Sequence, residues 1–215
     1  MKRINIQHFG FYPFNPNLGQ IMQSHVPGTN VDAAYVAHFH VAAADALVSD
    51  TDGVHAAINC SADTTIVVTT EFTNPSIPRN ITATVAAEAA DVGNIKAVKV
   101  KITGTNANGD VITEELDAFT ADTAGSVLGD KAFATVTKVE IPAMDGAGVS
   151  VTIGFGEKLG LPYKLSHNTV LAAYHDNTLE AVAATVTVSA TALEDNTIDL
   201  NTALNGKVVD AYLLV

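Results

Sequence analysis

The sequence predicts an all-β protein, an Ig-like or jelly-roll-like antiparallel β-sandwich with an extended N-terminal arm. Three observations predict it. Apolar and polar residues alternate at a period of two in many short stretches, which gives each strand one buried and one wet face. Turn-forming Gly, Asn, Asp and Pro separate those stretches at short intervals, as in sandwiches and barrels. The 215 residues are rich in Thr, Val and Ala and contain no Trp and only 6% aromatics, a composition that suits half-buried pleated surfaces around a thin core.

In chain order, residues 1–30 do not read as part of the domain. Phe9, Phe11, Tyr12 and Phe14 sit among Gly10, Pro13, Pro16 and Gly19, and prolines disfavour regular elements. Such an apolar cluster either packs back on its own core or lies on a neighbouring subunit as an anchoring arm. Residues 31–215 form the expected sandwich domain, with 31–70 open as a separate strand or hairpin layer. Val36–Ala42 alternates as a strand with Val36, His38, His40 and Ala42 on one side, although Ala33–Leu47 is Ala-rich enough for a helix. A turn over Ser49–Gly53, a helical turn over Val54–Ile58 and a strand over Thr64–Glu71 follow.

The central stretch reads as three strands. These are Asn80–Val85, Ile95–Thr103 and Val111–Leu116, the last two joined by the Asn- and Gly-bearing turn 104–110. Two charges break this pattern. Arg79 shares the face of Ile81 and Ala83, and Glu114 shares that of Ile112 and Leu116. We expect Arg79 to form a partly buried ion pair with Glu114, or with Glu115 if the register shifts; the alternative is two rim charges that never meet. Ala132–Ile141 is the next strand, ended by Pro142. A turn over Asp145–Gly148 leads to the strand Val149–Phe155. Residues 156–177 read as an irregular loop laid over the core, and Thr185–Ala192 and Lys207–Val215 as the last strands.

Charge and cysteine usage exclude several function classes. Acidic residues exceed basic ones by 23 to 11, a net charge of −12, which disfavours gripping nucleic acid through its phosphates. No run of about 18 apolar residues is present, so no membrane span is expected. The N-terminal stretch has no apolar signal-peptide core, and the expectation is a protein kept in the cytoplasm until it joins something. Cys60 stands alone, which leaves no intrachain disulfide framework and no zinc-finger spacing.

Candidate motifs are few. His38 and His40 place two imidazoles on one strand face, and His55 could approach them, a possible zinc set; no acid or Cys completes a recognised spacing, and such histidines more often pack or hydrogen-bond. Asp50, Asp52 and Gly53, and Asn106, Asn108, Gly109 and Asp110, resemble pieces of calcium loops but lack the later Glu, and turn chemistry explains both. Residues 154–160, GFGEKLG, have the wrong spacing for a phosphate loop. Cys60 and His55 have no third group to orient them. We therefore expect no enzyme, no catalytic residue, no cofactor and no metal.

Four segments carry a resemblance. These are TNPSIPRNIT (73–82), ITGTNANGD (102–110) with TEEL (113–116), KAF (131–133) leading to TKVEIP (137–142), and GFGEKLGLPYKL (154–165). Together they resemble a family of tailed-bacteriophage virion proteins over roughly residues 60–215. The resemblance implies a structural component of a phage particle with a β-sandwich fold and no activity. A small acidic sandwich with an aromatic arm suits a capsid decoration (cement) protein, which needs many weak contacts multiplied by symmetry. The expected partners are the major capsid protein and further copies of the chain in a homotrimer or other symmetric oligomer, with neither nucleic acid nor membrane. The expected place is the capsid exterior of the virion, assembled in the bacterial host cytoplasm. Docking is expected through Phe9, Phe11, Tyr12 and Phe14. Two alternatives stay open: a tail, neck or fibre component forming a ring, and a glycan-binding module using Tyr163 and Tyr174.

Overall fold

The computed structural model describes residues 22–23, 30–31 and 35–215. The expected docking residues Phe9, Phe11, Tyr12 and Phe14 lie outside the described residues. Two short strands precede the body, β1 (Met22–Gln23) and β2 (Asn30–Val31), paired antiparallel.

The body is all-β, as predicted, and its sheets are antiparallel. Its first half contains β3 (Val36–Val41), β4 (Asp50–Asn59), β5 (Ile66–Val68), β6 (Arg79–Ala87), β7 (Lys101–Thr105) and β8 (Val111–Glu115). Its second half contains β9 (Gly125–Phe133), β10 (Thr135–Ile141), β11 (Val149–Gly160), β12 (Val170–His175), β13 (Thr178–Leu179), β14 (Thr185–Thr187), β15 (Thr197–Asp199) and β16 (Val209–Leu214). The large sheet runs β14-β15-β11-β6-β9, with β4 also paired to β11. A second sheet, β5-β10-β7-β8, faces it, and a third, β13-β12-β16-β3, closes the far end. Strands β3, β4 and β5 go to three different sheets, so residues 31–70 are woven through the fold rather than forming one layer.

Two apolar cores result. The larger lies between the first two sheets, where Ile81, Val151 and Ile153 meet Ile102, Val139 and Ile141, all fully buried. The smaller packs Val41, Val209, Ala211 and Leu213 of the third sheet against Leu159, Leu161 and Ile198. Strand β11 serves both: Val149–Phe155 belongs to the first core and Leu159 to the second. Burial of this kind contributes about 25 cal/mol per Å² of apolar surface removed from water.

Several expectations needed correction. Of the residues read as a turn and helical turn, 50–58 lie in the long strand β4, because the edge of β11 offers a ladder from Asn59↔Ser150 to Asp50↔Phe155. The supposed loop 156–177 contains the end of β11 and all of β12, which pairs with β16. Strand β9 falls in a stretch with weak alternation and pairs with β6. In each case a partner strand distant in sequence supplies the hydrogen bonds, and local pattern gives way to tertiary pairing. The strand expected at Ile95–Thr103 begins only at Lys101; Ile95 is still buried, but as the extended residue that ends a 3-10 turn over Val92–Asn94.

Asparagine carboxamides hold the irregular places. In the β7–β8 turn, Asn106 Oδ1 accepts from the amides of Asn108 (2.9 Å) and Asp110 (3.0 Å), and Gly109 takes a φ of +85°. Asn196, fully buried, accepts from the amides of Leu165 and Ser189 and donates to the carbonyls of Ser189 and Ala192.

Candidate functional site

Among the described residues, the outward face of the third sheet brings together two histidines and an acid. Strand β3 alternates, so Ala37, Phe39 and Val41 turn toward the smaller core while Val36, His38 and His40 turn out. The partner strand β16 is in register with it, Asp210 opposite His40 and Tyr212 opposite His38. Both imidazoles converge on one carboxylate oxygen: His38 Nε2 lies 2.6 Å and His40 Nδ1 2.7 Å from Asp210 Oδ1. These bonds, His40's first, hold the Asp210 carboxyl below the usual carboxylate range. The His38 ring stacks on Tyr212 at 4.8 Å and 7°, and Tyr212 meets Tyr174 edge-on at 6.1 Å. The acid that spacing along the chain did not supply comes from a strand 170 residues away.

His55 does not join this group. It lies on β4 in the large sheet, where its Nδ1–H donates to the Ala56 carbonyl at 2.7 Å and its ring meets Phe72 edge-on. Cys60 is half-buried, and burial pushes its thiol up to about 11, the opposite of what a nucleophile needs. Of the two aromatics considered for glycan binding, Tyr163 packs against the smaller core and Tyr174 sits on β12 rather than on a loop.

Arg79 and Glu114 both point inward, as the alternation predicts, yet they do not meet. Arg79 is 1% exposed. Its Nη1 donates to the Leu47 carbonyl at 2.7 Å, and its guanidinium lies 4.6 Å over the Phe155 ring. Burial lowers its pKa to about 10, against the raising influence of Glu157. Glu114 instead accepts from the amides of Asp130 (2.6 Å) and Lys131 (3.3 Å). Burial raises its carboxyl, opposed by those two amides. The expected ion pair fails because each charge finds backbone partners closer to hand. Glu115 alternates outward and is exposed.

The two amides that Glu114 accepts from belong to a second feature that alternation alone did not show. Strand β6 has an irregularity on each side at the same level. Its pairing with β9 jumps from Asn80↔Ala132 to Thr82↔Leu128, and its pairing with β11 jumps from Ile81↔Phe155 to Arg79↔Leu159. Each neighbour therefore carries extra residues, Gly129–Lys131 in β9 and Gly156–Lys158 in β11, as in a β-bulge. Asn80, fully buried between them, donates from Nδ2 to the Gly129 carbonyl (3.0 Å) and accepts at Oδ1 from the Lys158 amide (3.1 Å). Across it, Lys158 Nζ pairs with Asp130 at 2.5 Å. A concavity of about 410 Å³ opens here, lined by Asn80, Thr82, Leu128, Phe155, Lys158 and Asp199 among others. Burial raises the Asp199 carboxyl, and Lys158 opposes that rise.

No family model and no curated protein matches the chain. Among solved structures, the crystal structure of the infectious bursal disease virus VP2 subviral particle matches at 10% identity and a TM-score of 0.24, over 94% of this chain and 49% of that one. The chain thus spans about half the length of that structure's chain, and a likeness this low assigns no function.

Proposed function

We propose that this chain is a non-enzymatic structural protein of a bacteriophage particle, one that decorates and stabilises the shell of the major capsid protein. One observation carries the reading: the four segments with virion-protein resemblance gather in a single connected unit. TNPSIPRNIT enters β6, ITGTNANGD and TEEL make the β7–β8 hairpin, KAF and TKVEIP span β9 and β10, and GFGEKLGLPYKL forms the end of β11 and the turn after it. Strands β6, β9 and β11 are neighbours in the large sheet, and β7, β8 and β10 are neighbours in the sheet facing it. The resemblance therefore describes the sandwich itself and not scattered turns.

The mode of attachment follows from the chain's two parts. The sandwich is the part that covers the shell. The aromatic residues Phe9, Phe11, Tyr12 and Phe14 are the anchors, leading by way of β1 and β2 to β3 at the edge of the third sheet. Anchors of this type fill pockets on a partner, and symmetric copies multiply modest contacts into a stable coat. We expect a homotrimer or other symmetric oligomer on the capsid exterior. Deleting residues 1–20 tests the arm. Binding to undecorated particles is lost while circular dichroism keeps its β signature; binding at full occupancy without those residues removes the arm from the account.

A further inference from the structure

We propose that His38, His40 and Asp210 form a binding site for a divalent transition-metal cation of the zinc type. Residues two apart on a strand share a face, so His38 and His40 present their rings side by side. Register then brings Asp210 opposite His40. One ligand atom from each of the three residues lies within 4.8 Å of the other two.

The donor set fits borderline cations. Two imidazole nitrogens and one carboxylate oxygen suit zinc, cobalt and nickel better than magnesium or calcium, which take mostly oxygen. Metal–ligand distances near 2.0–2.2 Å put neighbouring ligands of a tetrahedral site about 3.4 Å apart. The nitrogen–oxygen separations here are 2.6 and 2.7 Å, so these two sides open by about 0.7–0.8 Å to admit the ion in place of the hydrogen-bonding protons. The two histidine side chains are 48% and 50% exposed and free to make that adjustment. Stacking on Tyr212 holds the His38 ring in its plane, the orienting role that neighbours of metal ligands commonly take. Three protein ligands on an exposed face leave a fourth position open to water or to a group from another molecule. The net charge of −12 favours cation approach.

The test is titration of the full chain, stripped with chelator, with Zn2+ by calorimetry and with Co2+ by its visible absorption. The wild type should bind Zn2+ at this site with a rise in melting temperature, and the cobalt spectrum should report nitrogen-and-oxygen coordination. Asp210→Asn and His40→Ala should each weaken that binding by at least about tenfold, while His55→Gln leaves it unchanged. Wild-type protein that takes up no Zn2+ at millimolar concentration overturns the proposal. So does uptake that survives both substitutions undiminished, which would place the ion elsewhere in the chain. Since His40 is exposed, unchanged circular dichroism of His40→Ala separates lost ligation from lost folding.

Discussion

Replacing Asn80 by Ala tests the architecture at its most constrained point. The side chain loses two hydrogen bonds, to the Gly129 carbonyl at 3.0 Å and from the Lys158 amide at 3.1 Å. Both partners are backbone groups at irregularities where the ladder does not pair them in register, and Asn80 itself is fully buried. A buried polar group left without a partner costs about 1–3 kcal/mol, so the two together should cost about 2–6 kcal/mol. Against a typical total of about 5–15 kcal/mol, that is a large fraction. Urea denaturation should show it as a lower midpoint with an unchanged slope. Gly156→Ala supplies the matching steric test, because a Cβ there would lie 2.5 Å from the Asn80 carboxamide. That substitution should be costly in the wild type and nearly free in the Asn80→Ala background, where the obstructing group is gone. Strong non-additivity is therefore the expected signature. A loss below about 1 kcal/mol for Asn80→Ala, or additive costs in the double variant, would show that Asn80 does not hold the two irregularities together.

Two further outcomes follow from buried ionisable groups. Burial raises the Glu114 carboxyl in the folded state, so the folded protein takes up its proton before the unfolded chain does. This contribution therefore favours folding increasingly as pH falls through the raised folded value, and is complete below the unfolded value of about 4.3. Glu114→Gln removes it, so the stability difference between wild type and variant should change between about pH 7 and about pH 4; a constant difference would show that the carboxylate is not penalised. Cys60, with its thiol pushed up to about 11, should react with a disulfide reagent at least about tenfold more slowly than free cysteine at mildly alkaline pH, and equal rates would contradict its burial.

How much of this was legible in the sequence depends on where each residue finds its partner. Strands with their own alternation, such as β6, β8 and β10, fall where the pattern places them, and Pro142 follows the last residue of β10. Strands β4 and β12 were hidden because their pairing comes from β11 and β16, and their own residues suggest turns or loops. The inward placement of Arg79 and Glu114 follows from period two, but their partners do not. Bulges in β9 free the amides that Glu114 accepts, and a bulge has no reliable sequence signal beyond a glycine such as Gly129 or Gly156. The His38 and His40 pair was visible on its strand, whereas Asp210 required the β3–β16 register. Its only sequence signal is an acid that breaks the apolar run of the final strand.

Cryo-electron microscopy of purified virions carrying this protein distinguishes decoration from the alternatives. A decoration protein gives density for the sandwich repeated over the icosahedral shell, seated on the major capsid protein, with residues 1–30 reaching onto neighbouring subunits. Density confined to the tail or to one vertex would contradict it and make the chain a ring, neck or fibre component instead.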